Sequence, residues 1–492
     1  MPRNSFFRLV GGVASLLAKS GSRLVFMRRL PGNAVLAVMG FVIAIASLKS
    51  VYMGENLSQL SAAQFFLENT VPVTYWIGLA LLASSVLLLK PFRDDKRIPG
   101  YVLLCSILLM TCMRAILPLT VSKPFDIDVN DYISWMQAWL SEGIQLVPGH
   151  LIKTPLLYYY PDTNPVPFLL AYFFLKIGVP IDFFFKWAPF AIYAIDLCLV
   201  YLVSKEITGG SAELAALSTF LAASSSMAQL ITLWYSPHLL GSGLFLLSFL
   251  LFLRISESKG RQTHLPIYYA AGFISIALLV LTHSLTTLYF IAALSGLLLL
   301  VWVLKVFRRG GITARISVVW PMYTVCVWYV CASLLYREKF ADWVISLYRA
   351  LAGHARPEFR AVTWVNFLGM GSIVDQLAFA SYPILVLGLA TYGFMQTKGR
   401  KLADPVLVKT LGPVGALGAL FVFGLTASGL SYPLRLIELI MILCCPLAAK
   451  ALAELLSSDR STTVRLCVVV GILVVVLLST HWMFRGIQRI MF

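Results

Sequence analysis

Residues 123 to 135 read KPFDIDVNDYISW and put three aspartates into six positions: Asp126, Asp128 and Asp131. A carboxylate can take a proton from a hydroxyl. A pair such as Asp126 and Asp128 can hold a hard cation, Mg2+ or Mn2+, that neutralises a phosphate. On a helix, Asp128, Asp131 and Trp135 follow at i, i+3 and i+7 and share one face. An acidic face beside an aromatic ring suits sugar transfer, because the ring packs on the apolar side of a sugar. The same spacing has a plainer use. Asp128 as helix cap and Asp131 as the acidic third residue would start the helix VNDYISWMQAWLSEG. Capping uses neither Asp126 nor the tyrosines and prolines that follow.

The surroundings of this cluster are apolar. The 492-residue chain is 59% hydrophobic and 12% charged, with a mean hydropathy of +0.84. A soluble domain carries about 25% charged residues. Apolar runs of about 20 residues recur, the length that crosses a bilayer as a helix, and the ten-residue alternation of a membrane barrel is missing. The fold class expected is an all-α integral membrane protein of about 13 transmembrane helices. Their ranges are about 34–53, 72–90, 100–121, 184–204, 212–233, 236–255, 266–281, 284–305, 316–336, 376–395, 405–428, 433–455 and 464–484.

The net charge of +17 could point to nucleic acid, but its distribution excludes that partner. Basic residues gather in the N-terminus and in every second loop: KPFRDDKR, SESKGRQ, KVFRRGGITAR, TKGRK and SSDRSTTVR. The alternate loop MGENLSQLSAAQFFLENT has no Lys or Arg. By the positive-inside rule the N-terminus is cytoplasmic and the aspartates lie outside. The localisation expected is the cell membrane, multi-pass, with membrane lipids as surroundings and the site on the outer face. The eight cysteines all fall in expected spans, with no zinc spacing, and read as packing residues.

Two long outer segments interrupt the spans. In the first, about 122–183, the run FLLAYFFLKIG is about 11 residues, too short to span, and is expected to lie at the interface. The second, about 337–375, interleaves aromatics and arginines and is expected to rest on the membrane surface.

The order KPFDIDVNDYISWMQAWLSEG, LLYYYPDTNPVPFLLAYFFLKIG and a span ending LVYLVSKEITGG resembles the GT-C superfamily of polyprenyl-phosphate-dependent glycosyltransferases. That family includes protein O-mannosyltransferases, the lipid A aminoarabinose transferase and the membrane half of oligosaccharyltransferases. The resemblance covers about residues 100 to 310. It implies residues 1–99 as an added N-terminal module with two spans, 100–312 as the core and 313–492 as a variable C-terminal module. It implies transfer of a hexose such as mannose from a lipid-linked donor to a glycan, lipid or protein acceptor. Asp128 is the implied general base, assisted by Asp126 or Asp131. Trp135, Tyr159 and Tyr160 are implied at the substrate, and Arg356, beside His354, is placed to cap the site. The chain has no WWDYG-type motif, so a single sugar rather than a whole oligosaccharide is expected to move.

Charged residues at membrane depth need a reason. Arg435 and Glu438 open a span in SYPLRLIELI. Either they pair with each other at i, i+3, or Arg435 grips the donor phosphate through its planar guanidinium, the reading the resemblance favours. His283 and His238 stand at turns between spans, where either could donate to that phosphate. Arg114 and Asp196 are expected as a structural pair. A transporter or flippase is the competing class; it predicts internal repeats and a carboxylate site at the midplane, whereas no repeat is visible and the carboxylates cluster in an outer loop. The topology predicts that single cysteines in loop 122–165 and in loop 305–315, in a cysteine-free background, are labelled from opposite sides by an impermeant reagent. Labelling of both from one side would refute it.

Overall fold

In lipid a backbone must satisfy its own polar groups, which confines a spanning chain of this composition to helices. The computed structural model describes residues 31–51, 72–89, 97–115, 127–143, 165–225, 235–257, 265–306, 319–335, 373–397, 405–426, 433–457 and 460–490. Among these residues there are fifteen helices and no strand. They are α1 (Pro31–Val51), α2 (Val73–Leu87), α3 (Ile98–Arg114), α4 (Ile127–Glu142), α5 (Pro165–Lys176), α6 (Ile181–Ile207), α7 (Ala212–Ala223) and α8 (Pro237–Glu257), followed by α9 (Leu265–Thr282), α10 (Ser284–Val306), α11 (Val319–Leu335), α12 (Ile373–Thr397), α13 (Pro405–Thr426), α14 (Pro433–Leu455) and α15 (Thr462–Ile490).

A helix falls on each of the thirteen expected apolar runs, and α4 and α5 are the two extra ones. Six helices, α6, α8, α9, α10, α14 and α15, are long and apolar enough to cross a bilayer by length and composition. The chain is a multi-pass, all-α membrane protein. The amphipathic segment expected at 337–375, the basic N-terminus, and Tyr159, Tyr160 and Arg356 lie outside the described residues.

Burial separates the centre of the bundle from its lipid-facing rim. Of the apolar window in α14, 83% is buried, and in α8 72%, against 22% in α15. α14 packs against α6, α7, α12 and α13, and α8 against α6, α9 and α10. The stretch expected as a variable C-terminal module thus supplies one of the two central helices. Of the cysteines described, Cys105, Cys112, Cys444 and Cys445 are buried; Cys198, Cys326 and Cys467 are exposed, and all seven are free thiols.

A second, smaller core lies at one end of the bundle. Val129, Tyr132, Trp135, Met136 and Trp139 form the buried stripe of α4, at the i, i+3, i+7 spacing of a helix laid on a surface. The stripe meets Phe168, Ala171 and Leu175 of α5, Phe184 and Phe185 at the start of α6, and Tyr235 just before α8. α5 has 12 residues, roughly 18 Å of helix, so it lies on the bundle rather than crossing it.

α1 and α2 form a hairpin whose backbones touch. A Cβ on Gly40 would stand 2.6 Å from the Gly78 carbonyl oxygen and 2.6 Å from the Leu82 nitrogen. Small residues at such crossings let membrane helices approach closely. The hairpin is tied to α3 by Tyr101, whose hydroxyl donates to the Asn33 carbonyl at 2.8 Å, and by Tyr75, which donates to Cys112 O at 3.2 Å. Gly100 has open space where a Cβ would go. Gly40→Ala should therefore lower the apparent thermal midpoint of the detergent-solubilised protein, at about 1–3 kcal/mol of overpacking. Gly100→Ala should leave the midpoint unchanged or raise it.

Candidate active site at the aspartate end of the bundle

α4 begins at Ile127, so Asp128 stands inside the first turn, one position after the helix starts, rather than at the cap. Asp126 precedes the helix and lies outside the described residues; the side chain of Asp128 also lies outside them. Asp131 is half-buried at the edge of the packed stripe. Trp135 departs from expectation. Its side chain is only 2% exposed, with its ring 5.7 Å from Phe168 and 5.6 Å from Tyr132. Its face of α4 is covered by α5 and α6, so it packs the layer instead of offering a platform to a sugar.

The layer is fastened to the bundle through Tyr235. Its ring meets Phe184 at 5.0 Å and Phe185 at 5.5 Å, and its hydroxyl donates to the Pro167 carbonyl at the start of α5. Burial raises the phenol well above its ordinary range, so it stays a donor. Three residues on, His238 stands in the first turn of α8.

Below this layer the helix ends gather polar groups into the bundle. α3 ends at Arg114, α8 starts at Pro237, α9 and α10 meet at His283, and α14 starts at Pro433. The chain connections bring these ends to the side of the bundle that carries α4. Nε2 of His238 lies 2.8 Å from Oε2 of Glu438, each side chain 1% exposed. The ring nitrogen and the carboxyl group share one hydrogen bond. Ser242 Oγ is 3.5 Å from the same nitrogen. The His283 ring packs edge-on against His238 at 5.5 Å. Gly241 permits this approach: a Cβ there would stand 3.0 Å from His283 Cβ and 3.2 Å from Thr286 Oγ1.

These contacts correct the expectation for both histidines. His238 commits its Nε2 to Glu438. His283 caps α10, since its Nδ1 accepts from the Thr286 backbone N–H at 3.2 Å and lies 2.6 Å from the Thr286 hydroxyl. With 1% and 3% exposure, their described bonds belong to the bundle and not to a substrate at the surface. Glu438, considered as a partner for Arg435 within its own helix, reaches across to α8. Arg435 itself stands in the first turn of α14; its side chain lies outside the described residues.

Arg114 and Asp196 are brought together as expected, within a larger group. Both are buried, and Arg114 acts electrostatically on Asp196 and on Glu438. The guanidinium also lies over the Tyr193 ring at 4.5 Å, a favourable cation–π geometry. Asp196 is seated against Gly243 of α8, where any side chain would overlap its carboxylate. Among the described residues no three His, Cys, Asp or Glu side chains converge in a metal-holding group.

No protein-family model matches the sequence, and no curated protein matches it. Solved structures do match. The archaeal oligosaccharyltransferase AglB from Archaeoglobus fulgidus, in complex with an inhibitory peptide and a dolichol-phosphate, aligns at a TM-score of 0.52. The identity is 11%, over 81% of this chain and 56% of that one. The apo oligosaccharyltransferase of the same organism aligns at 0.50 and 11% identity, over 80% and 56%. The fold is GT-C.

ArnT from Cupriavidus metallidurans bound to undecaprenyl phosphate aligns at 0.45 and 14% identity, over 80% of this chain and 76% of that one. The chain spans a little over half the length of the oligosaccharyltransferases it matches. Within this fold, sequence reasoning passed over Tyr235, Gly241, Gly243 and the contact between His238 and Glu438. A weak signal existed for His283 alone, since THSLTT has the spacing of a capped helix start. The others depend on neighbours far away in sequence.

Proposed function

We propose that the chain transfers a single sugar, a hexose such as mannose, from a polyprenyl-phosphate donor to an acceptor hydroxyl at the outer face of the membrane. The observation that carries this reading is the juxtaposition at one end of a GT-C bundle. The aspartate helix α4 lies there on the starts of α6 and α8, and α14 brings its Arg435 turn to the same end. The matching oligosaccharyltransferase was solved with a dolichol-phosphate and a peptide, which supports a lipid-linked donor and an external acceptor here.

In this reading Asp128 accepts the proton of the acceptor hydroxyl, assisted by Asp126 or Asp131. The hydroxyl oxygen bonds to the anomeric carbon as the bond from that carbon to the phosphate oxygen breaks. The polyprenyl phosphate departs with the bonding electrons, its charge met by the Arg435 guanidinium. One in-line displacement inverts the anomeric centre. Asp131 is half-buried at the layer's edge, and carboxylate oxygens of the kind Asp126 and Asp128 carry are the donors a hard cation prefers. Asp126 and Asp128 would hold it, where it would supply positive charge for the leaving phosphate.

The first test is release of free lipid phosphate when purified protein is incubated with polyprenyl-phosphate sugars. Asp128→Asn is nearly isosteric, so it should fold and melt normally while turnover falls about 10²–10⁴-fold. Asp126→Asn and Asp131→Asn should lose less. Normal turnover by Asp128→Asn would move the base to Asp126. Arg435→Lys keeps the charge and loses the bidentate fork; its kcat/KM for donor should fall by roughly 1–3 kcal/mol equivalent. A near-normal lysine variant would remove Arg435 from the phosphate.

A further inference from the structure

The opening turns of α8 hold two things at once. Tyr235 is locked into the aspartate layer, through Phe184, Phe185 and the Pro167 carbonyl. His238, three residues later, is locked to Glu438 of α14 at 2.8 Å. Glu438 stands three residues after Arg435, one turn deeper on the same helix, which is a rise of roughly 4.5 Å. We propose that His238 and Glu438 form a positioning latch, through which the start of α8 sets where α14 presents Arg435 relative to the aspartate helix α4.

The latch is confined on its other sides. The His283 ring packs against His238, Ser242 approaches the same nitrogen, and Gly241 admits α10 close enough to hold His283 there. On α14 the flanking Leu436 and Leu439 are fully buried, so the turn around Glu438 is held by packing as well as by charge. A group that merely stabilised the bundle would not need to join these two helices at this height. Asp196 of α6 and Arg114, the last residue of α3, are a neighbouring buried charged group that joins other helices.

This inference rests on Arg435 gripping the donor phosphate, so its test is a double-mutant cycle on that grip. Full-length protein in detergent is titrated with undecaprenyl monophosphate, and binding is followed by tryptophan fluorescence. Glu438→Ala should weaken binding about tenfold when Arg435 is present and less than twofold in the Arg435→Ala background. Glu438→Gln keeps an acceptor for His238 and should recover most of the affinity. Equal weakening in both backgrounds, or none in either, would overturn the latch. If Glu438→Ala does not fold, His238→Asn, whose amide falls short of the carboxylate, enters the same cycle with the same expected split. Unchanged binding by Arg435→Ala, or no binding by wild type, is a separate result that overturns the phosphate site itself.

Discussion

A carboxyl group buried in an apolar bundle must meet a hydrogen-bonding partner or a compensating charge, and this constraint organises the centre of the protein. Glu438, 1% exposed, meets His238 across a gap of 2.8 Å. Removing one partner of a buried ion pair is typically strongly destabilising, because the other loses its compensation. The two most buried spans, α8 and α14, are therefore joined by an interaction that tolerates little sliding. Around it Arg114, Tyr193 and Asp196 make a second polar group. The remaining helices fit around these two, with glycines wherever a neighbouring side chain or backbone intrudes.

Much of the architecture was legible because apolar run length is a local property. Thirteen runs of adequate hydropathy each contain a helix, and the 11-residue run FLLAYFFLKIG is the short helix α5, as its length required. Alternating loop charge gave an orientation by a separate argument, which the helix positions neither add to nor subtract from. The order of acidic cluster, tyrosine–proline stretch and short apolar run carried the GT-C resemblance. Its convincing range ended near residue 310, while the structural likeness extends over 81% of the chain.

The site was less legible for reasons that are also physical. Trp135 shares a helical face with Asp131 by spacing, but which part of that face is covered depends on α5 and α6, and periodicity cannot show it. The contact between His238 and Glu438 joins residues 200 positions apart. From the sequence each looked like an interfacial residue free to serve a ligand, or to pair with a helical neighbour. Gly241 and Gly243 carry no pattern of their own; they are defined by His283 and Asp196, which fill the space a side chain would take. Asp126 and the side chains of Asp128 and Arg435 rest on sequence, and on the position of the helices that bear them.

The short helix α5 has an outward side that is unusually apolar for a surface element: Phe173 is 58% exposed, Ile177 61%, and Phe183 at the start of α6 56%. Aromatic and branched side chains in that position enter the boundary between headgroups and acyl chains. The opposite side of the same layer is fastened to α8 by Tyr235. One small layer thus has an apolar rim suited to that boundary and a polar mooring to the bundle, and a change in bilayer thickness taken up by tilt of the spans would act on it through α8.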